Sequence, residues 1–383
     1  MRNWLTLLMM IVIFGLGCPG SGFAASLFEA TLGVNHHFTQ NAARDAKDIA
    51  DTAAAGFRLI RYDLNWEQVE RSRGVYDFSV YDRLVQQMLS NGIRPLFILD
   101  YGNALYGDSR SVRTPEARAA FARFATAAAF RYKGKNVIWE IWNEPNVNFF
   151  WPPAADAHEY MQLVIDAATA IRLADSTAYV IAPGVNRMDF GFLQQCLKLG
   201  LLRHINAVTV HPYRDSHPET ALDELARLQN LLAEHEPELA TPFVVGEWGY
   251  TTLHPGVTEE FQAIYLQRLF LVNAMAGAEF TIWYDFRNDG TDSRNFEHNF
   301  GLYGHDGREK PALAAVRELL RQLAGKRFSR RLFSHPEDFL LEFADSKGKT
   351  CVAAWTVRKD HLAAVPGRAA VTLTQKPQFI GCQ

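Results

Sequence analysis

The sequence predicts a (β/α)8 barrel followed by a small antiparallel sheet. Between Glu29 and Lys326, strand-like and helix-like segments alternate eight times with a period of about 35 residues, the pattern of such a barrel. The strand-like segments are apolar on both faces, as parallel strands covered on both sides must be. Polar and aromatic side chains stand where these strands end, at the edge that carries function in a barrel.

An open doubly wound sheet is the alternative α/β architecture. It is disfavoured because no G-x-G-x-x-G motif follows the first strand. The barrel strands are predicted at residues 30–35, 57–62, 94–99, 137–142, 178–182, 207–211, 243–246 and 280–284. The helices are predicted at residues 42–55, 79–91, 115–132, 156–174, 189–199, 219–236, 258–276 and 311–323.

Several helix boundaries carry their own chemistry. Thr114 is a capping residue before Pro115, which suits the first helical position. Gly56, Gly92 and Gly200 stand just past predicted helix ends, where a left-handed residue is common.

The alternation stops after Lys326. Residues 339–343, 351–356 and 370–373 are strand-like, and residues 345–348 form a turn between the first two. We therefore expect residues 27–326 to form the barrel and residues 327–383 a thin sheet that packs against it.

The amino-terminal segment has the features of a secretory signal peptide. Arg2 precedes an apolar run at residues 5–16, and small residues follow up to Ala24, where cleavage is expected. Residues 1–25 are therefore excluded from the fold, and the mature chain is expected to be periplasmic or secreted. The run is short for a membrane span. Lipidation at Cys18 is the alternative, disfavoured because Pro19 follows that cysteine.

Composition limits the class of partner. The chain has 383 residues, 48% hydrophobic and 21% charged, and a net charge of −3, which together indicate a globular protein. Because no Lys/Arg tract stands out, a nucleic-acid partner is not expected. The chain has eight Trp, 13 Tyr and 26 Phe, more aromatic residues than a hydrophobic core usually requires. Sugar rings stack on the faces of aromatic side chains. We expect a saccharide partner and a monomer.

Three cysteines remain in the mature chain. Their odd number is not a disulfide framework, and their spacing matches no metal site. Cys351 and Cys382 lie in strand-like segments and are candidates for pairing, which the sequence leaves open, while Cys196 is expected to be a buried helical thiol.

Two glutamates end matched apolar strands. Residues 137–142 lead into Asn143, Glu144 and Pro145, and residues 242–246 lead into Glu247 and Trp248. A single acid at a strand end is usually just solvated, but a pair at matched strand ends indicates one site. Two carboxylates with nearby donors and aromatic platforms are the groups that glycoside hydrolysis uses. One must carry a proton for the leaving oxygen, and the other must stay ionised.

Other strand-end residues complete the predicted site. Arg61 and Tyr213 are placed to serve the ionised glutamate, and Glu140 is expected to be a buried acid paired with a barrel arginine. The aromatic loop 149–151, with Trp151, is interpreted as a sugar-stacking surface. There is no serine elbow or phosphate loop, and the histidines lack metal spacing, so neither metal nor cofactor is expected.

The stretch Trp139-Glu140-Ile141-Trp142-Asn143-Glu144-Pro145-Asn146, together with Val245-Gly246-Glu247-Trp248, resembles the retaining glycoside hydrolases of the large barrel clan. The form is most similar to family 39, with family 5 second. The resemblance implies that Glu144 is the acid/base and Glu247 the nucleophile, with their carboxyl groups roughly 5 to 5.5 Å apart. It also implies roles in binding the sugar and the nucleophile for Asn143, Arg61, His211 and Tyr213, and a subsite floor at Trp283.

The chain departs from these families at two places. Asp100 and Tyr101 stand where some family 5 members carry a histidine, and the C-terminal β-domain is short. These features make the chain similar to secreted bacterial members linked to biofilm exopolysaccharides. We expect endo action in an open groove lined by Trp151 and Trp283. An exo-acting β-xylosidase or β-glucosidase and a non-catalytic glycan-binding protein of an export machinery are the alternatives, and the sequence names neither sugar nor linkage.

Overall fold

Eight parallel strands close into a barrel, which confirms the predicted fold class. The computed structural model describes residues 27–107, 110–253 and 255–382, so the predicted signal peptide and Cys18 lie outside the described residues. Each barrel strand pairs with its neighbour in sequence, and the first pairs with the eighth. The strands are β1 Leu32–Asn35, β2 Leu59–Asn65, β3 Arg94–Asp100, β4 Ile138–Ile141, β5 Tyr179–Asn186, β6 Ala207–His211, β7 Phe243–Trp248 and β8 Thr281–Trp283.

Helices cover the outside of the barrel between successive strands. Several begin with a side-chain cap, such as Thr114, whose hydroxyl accepts from the Ala117 amide 3.1 Å away. The helices are α1 Ala42–Ala55, α2 Trp66–Val69, α3 Ser79–Ser90, α4 Pro115–Arg131, α5 Ala157–Ala174, α6 Phe190–Lys198, α7 Leu222–His235, α8 Glu259–Met275 and α9 Pro311–Leu323. Short 3₁₀ turns occur at Phe28–Thr31, Leu201–Arg203, Pro218–Ala221 and Phe296–Asn299.

The interior of the barrel has an apolar layer and a polar layer. The apolar layer is made of Leu59, Leu96, Ile138, Ile181, Ala207, Val244, Phe280 and Ile282. Two residues further along β2 and β4, on the same face of each strand, the inward side chains are Arg61 and Glu140, both buried. The change from apolar to charged along each strand places the polar layer at the carboxyl ends of the strands.

The C-terminal segment forms two small antiparallel sheets against the barrel. One has the order β14-β11-β10-β9 and the other pairs β12 with β13. Their strands are β9 Arg327–Arg331, β10 Asp338–Ala344, β11 Thr350–Thr356, β12 His361–Ala363, β13 Val371–Leu373 and β14 Gln378–Ile380. The ring of Phe343 packs edge-on against Phe28, with centroids 5.3 Å apart.

A disulfide joins Cys351 to Cys382, which answers the pairing question that the sequence leaves open. The bond ties β11 to the residues that follow β14, and Cys196 remains a free, buried thiol on α6. Within the described residues, no helix is both long and apolar enough to cross a membrane.

Candidate active site

The two predicted glutamates meet at the carboxyl end of the barrel. After β4 the chain turns through left-handed backbone at Trp142 (φ 69°) and Glu144 (φ 46°), conformations that non-glycine residues seldom adopt. One carboxylate oxygen of Glu144, one of Glu247 and a ring nitrogen of His211 lie within 4.8 Å of one another. Such a short separation suits a retaining mechanism, since an inverting pair needs about 6.5 to 9.5 Å for its water.

Glu247 is held by two donors. Arg61 Nη1 donates to its Oε2 at 2.6 Å, and the Tyr213 hydroxyl donates to its Oε1 at 2.7 Å. These contacts use both carboxylate oxygens and fix the plane of the group. The structure thus brings together Arg61, Tyr213 and Glu247, the three residues that the sequence assigns to the ionised partner.

Arg61 is the hub of the polar layer. Its other donors reach Glu140 Oε2 at 2.7 Å, Asn143 Oδ1 at 2.8 Å and Asn35 Oδ1 at 3.2 Å. Burial alone would lower the pKa of Arg61, but the charges of Glu140 and Glu247 outweigh it and raise the pKa. The guanidinium therefore stays charged, and it fixes the side-chain amide of Asn143 beside the carboxylate pair.

Glu140 has the structural position that the sequence predicts. It is fully buried against Arg61. Burial would raise the pKa of Glu140, but the charge of Arg61 and the hydrogen bonds and charge that Arg61 and His211 supply together lower it. Gly184 makes room for it, since a Cβ there would lie 2.8 Å from Glu140 Oε1, and Gly246 makes room for the neighbouring Thr209 hydroxyl, which a Cβ would overlap. Gly184 also has a φ of 63°, which glycine adopts without strain.

Glu144 has different partners from Glu247. Asn186 Nδ2 donates to its Oε1 at 2.8 Å, and His211 Nδ1 lies 3.0 Å from the same oxygen. Burial alone would lower the pKa of His211, but the charge of Glu247 and contacts with Glu140 and Glu144 raise it to about 9. His211 is therefore an imidazolium at neutral pH and donates to Glu144. The sequence assigned Asn186 no role.

Two of the predicted aromatic walls are wrong. Trp151 is 0% exposed, packs edge-on against Trp142 and Tyr160, and points its Nε1 at Glu159. Trp283 is also 0% exposed and belongs to the layer between strands and helices, because its neighbour Ile282 takes the inward position on β8. Neither ring offers a face to a sugar.

Tyr284 takes the position that the sequence assigns to Trp283. Its ring lies 6.3 Å from that of Tyr213 and 5.6 Å from that of His37, and its hydroxyl donates to Glu297 Oε2 at 3.2 Å. Strict alternation along β8 could have found it, since Tyr284 shares the inward parity of Ile282. In the predicted aromatic loop, the exposed member is Phe149, at 67%.

A histidine and two aspartates lie beside Tyr284, and the sequence did not predict this group. His37 Nδ1 is 2.8 Å from Asp289 Oδ1 and 3.8 Å from the buried Asp285. Burial alone would lower the pKa of His37, but its hydrogen bond to Asp289 and the charge of Asp285 raise it to about 9.

Two groups in the described part of the chain have the ligand types and closeness of a metal site. They are His37 with Asp285 and Asp289, and His211 with Glu144 and Glu247. In both, an imidazole nitrogen lies within hydrogen-bonding distance of a carboxylate oxygen, 2.8 Å from Asp289 in the first and 3.0 Å from Glu144 in the second.

A cavity of about 750 Å³ adjoins Glu144. Asn186, which donates to Glu144, is part of its wall, and Asn146 Nδ2 donates to the Asn186 carbonyl at 3.1 Å across the same wall. The remaining lining comes from residues 147–149, residues 187–189 and Glu224.

Comparison with known proteins agrees with this geometry. The family described as Cellulase (glycosyl hydrolase family 5) matches residues 20–285. A family 39 glycoside hydrolase from Bacteroides cellulosilyticus WH2 is similar in structure, with a TM-score of 0.80 and 23% identity over 92% of this chain and 81% of the other. A monomeric β-xylosidase from Caulobacter crescentus CB15 has a TM-score of 0.66 and 18% identity, over 86% of this chain and 74% of that one.

A family 5 (GH5_18) structure from Streptomyces cattleya, in complex with Manb1-4GlcNAc, has a TM-score of 0.62 and 17% identity over 79% and 82% of the two chains. At these identities the structures show a shared fold. The sequence resemblance placed family 5 second to family 39, and the family 5 match spans most of this chain. The chain belongs to glycosyl hydrolase family 5, and the protein is a retaining glycoside hydrolase.

Proposed function

We propose that this hydrolase is exported and cleaves internal β-linkages of an envelope or biofilm exopolysaccharide, with Glu144 as acid/base and Glu247 as nucleophile. The observation that carries the assignment of roles is the difference between the two carboxylates. Glu247 accepts from a guanidinium and a phenol, which suit an ionised nucleophile, whereas Glu144 has no guanidinium partner, contacts the Asn186 amide and the His211 ring, and lies at the edge of a cavity.

In the first step Glu247 attacks the anomeric carbon, while Glu144 gives its proton to the departing glycosidic oxygen. Arg61 and Tyr213 keep the attacking carboxylate in plane. In the second step Glu144 takes a proton from water, and the resulting hydroxide oxygen replaces Glu247 at the anomeric carbon. Each displacement inverts the anomeric carbon, so the two steps together retain the configuration of the sugar.

Two observations support the proposed setting. The cavity of about 750 Å³ lies beside the acid, where the leaving group must be, and it has room for more than one sugar ring. The Cys351–Cys382 disulfide is typical of oxidising compartments, in agreement with the signal-like residues 1–25.

Two substitutions test the roles. Glu247→Gln keeps the shape and removes the nucleophile, so turnover should fall by several orders of magnitude while glycan binding survives. Glu144→Ala should damage cleavage of a natural linkage far more than cleavage of an activated aryl β-glycoside, which needs little protonation. Azide should rescue this variant on the aryl substrate and yield a β-glycosyl azide.

The matched measurement on wild type is a screen of bacterial exopolysaccharides and plant β-glycans by size-exclusion chromatography. Internal cleavage lowers the molecular mass before much reducing sugar appears. Release of single sugars without loss of mass would instead assign an exo-acting β-xylosidase or β-glucosidase. Binding without any turnover, unchanged by either substitution, would assign a non-catalytic glycan-binding protein.

A further inference from the structure

The cavity beside Glu144 is lined by an arginine, Arg187, that forms no ion pair with any described residue. Arg187 follows β5 directly, with a left-handed backbone (φ 56°), and its exposed side chain has no hydrogen bond or ion pair to any described residue. Arg187 directly follows Asn186, which donates a hydrogen bond to Glu144. The guanidinium is therefore carried by the residue next to the one that positions the acid.

The acidic side chains of the same wall are already occupied. Asp189 Oδ1 caps α6 by accepting from the Phe192 amide at 3.0 Å, and its Oδ2 accepts from Asn146 Nδ2 at 3.3 Å. Glu224 accepts from Arg214 Nη2 at 2.7 Å. Asp189 is held by neutral donors and Glu224 by Arg214, so Arg187 is the lining cation without an ion pair to any described residue, and it is available to a carboxylate brought into the cavity.

A second guanidinium stands over the rim of the cavity. Arg110 lies 4.4 Å above the centre of the Phe149 ring and 4.8 Å above that of Tyr101. Phe149 is also a wall residue of the cavity. Stacking uses the face of a guanidinium and leaves its N–H edge for an anion, which it can bind with two parallel hydrogen bonds.

Acids gather on the opposite side of the carboxylate pair. Asp285, Asp289 and Glu297 surround His37 and Tyr284 there. Arg187 and Arg110 thus lie on the Glu144 side of the site, while the acids near Tyr284 surround the imidazole of His37, which balances part of their charge. A cation without an ion pair can select the charge of the sugar on its side.

We propose that the cavity beside Glu144 binds the leaving-group sugar and prefers one that carries a carboxylate, a hexuronic acid, with Arg187 as the residue that determines this preference. The inference rests on the proposed function, in which Glu144 protonates that leaving group. Arg110 on Phe149 extends the same preference to the rim.

Direct binding tests the preference without any turnover. Methyl β-D-glucuronide and methyl β-D-glucoside share a ring and differ at the carboxylate, and both are titrated into the full protein by NMR or calorimetry. The wild type should bind the glucuronide about tenfold more tightly, the effect of one charge-assisted pair. Raising the salt concentration should reduce the difference, because the site is open to solvent.

Substitutions assign the preference to a residue. Arg187→Ala should remove most of it, and Arg187→Glu should reverse it, while affinity for the glucoside changes little. Arg83→Ala is the control, since Arg83 is an exposed arginine on α3, away from the carboxyl ends of the strands. Equal affinity for the two sugars in the wild type, no measurable binding of either, or a preference that survives Arg187→Ala would overturn the proposal.

A transfer experiment reports on the same subsite during catalysis. With an aryl β-glycoside as donor, an acceptor hydroxyl replaces Glu247 at the anomeric carbon, a glycosidic bond forms, and the acceptor proton passes to Glu144. The glucuronide should give more transfer product than the glucoside, and Arg187→Ala should abolish the difference. If no aryl glycoside or glycan is cleaved but the binding preference stands, the proposed function fails and the subsite does not.

Discussion

His211 lies between the two proposed catalytic carboxylates and contacts both. Its Nδ1 lies 3.0 Å from Glu144 and 4.0 Å from Glu247, and its Nε2 lies 3.8 Å from Glu140. An imidazolium in this position holds three acids close together in a buried space. Loss of its proton would leave their repulsion balanced by Arg61 alone.

His211 should therefore make the free energy of unfolding decrease as the pH becomes alkaline. Its folded-state pKa, about 9, lies above the ordinary value of 6.5, so its contribution is fully present below about 6.5 and is lost as pH rises through 9. A shift of that size corresponds to about 3 kcal/mol. Between pH 6 and pH 10, the free energy of unfolding of wild type should fall by this much more than that of His211→Asn, measured by urea denaturation.

His158→Asn, at an exposed position on α5, is the matched control and should follow the wild type. Because the comparison is a difference between variants, other groups that titrate in this range, such as His37 and Lys310, cancel. Parallel pH profiles for wild type and His211→Asn would show that His211 is not charged in the folded state.

At the residue scale, the sequence predicts well which polar side chains near strand ends belong to the site. It predicts poorly which aromatic side chains do. Glu144, Glu247, Arg61 and Tyr213 lie in or just after barrel strands, where a charged or phenolic group is costly unless it meets a partner, and the structure brings them together. A tryptophan gains by burial as well as by stacking on a ligand, so composition cannot tell the two apart. The prediction that Trp151 and Trp283 stack on sugars was wrong for this reason, since both are buried.

Glu219, in the turn before α7, connects the barrel to the C-terminal sheet. It accepts from Arg268 Nε of α8 at 2.7 Å and from Trp355 Nε1 of β11 at 2.6 Å. Burial would raise the pKa of Glu219, but hydrogen bonds from His217 and Arg268 outweigh it and lower the pKa to about 2. One carboxylate thus joins a barrel helix to the appended sheet.

Removing this carboxylate should be far more costly than removing the tryptophan donor. Glu219→Ala leaves the buried charge of Arg268 without a partner, which should cost about 3 to 5 kcal/mol in the free energy of unfolding. Trp355→Phe keeps the ring stacked on Phe339 and loses one hydrogen bond, about 1 kcal/mol. Chemical denaturation of both variants measures the two costs, and equal costs would contradict the ionic role of Glu219.

At the element scale, helix limits were predicted better than strand limits. α1 and α9 have the predicted bounds, because apolar periodicity, Gly56 and Pro311 mark their ends. β2 and β5 are longer than predicted and extend to Asn65 and Asn186. Their last residues are polar, which suggests a loop, but they pair with Asp100 and His211 of the neighbouring strands.

The disulfide should stabilise the C-terminal segment as a whole. It closes a loop of 31 residues, for which chain entropy gives about 3 to 4 kcal/mol. Reduction with dithiothreitol should lower the melting temperature of the wild type. The Cys351→Ser/Cys382→Ser variant should melt at the lower temperature and no longer respond to dithiothreitol; a response that remained would indicate that another thiol is involved.

Arg61 joins four strands: its own strand β2, β1 through Asn35, β4 through Glu140 and β7 through Glu247. These bonds lie in the barrel, beneath the loops that carry Phe149, Arg187 and Tyr284. The loops can therefore vary in sequence without moving Glu247, the carboxylate that Arg61 holds. A change in these loops can alter the choice of substrate while this half of the carboxylate pair stays in place.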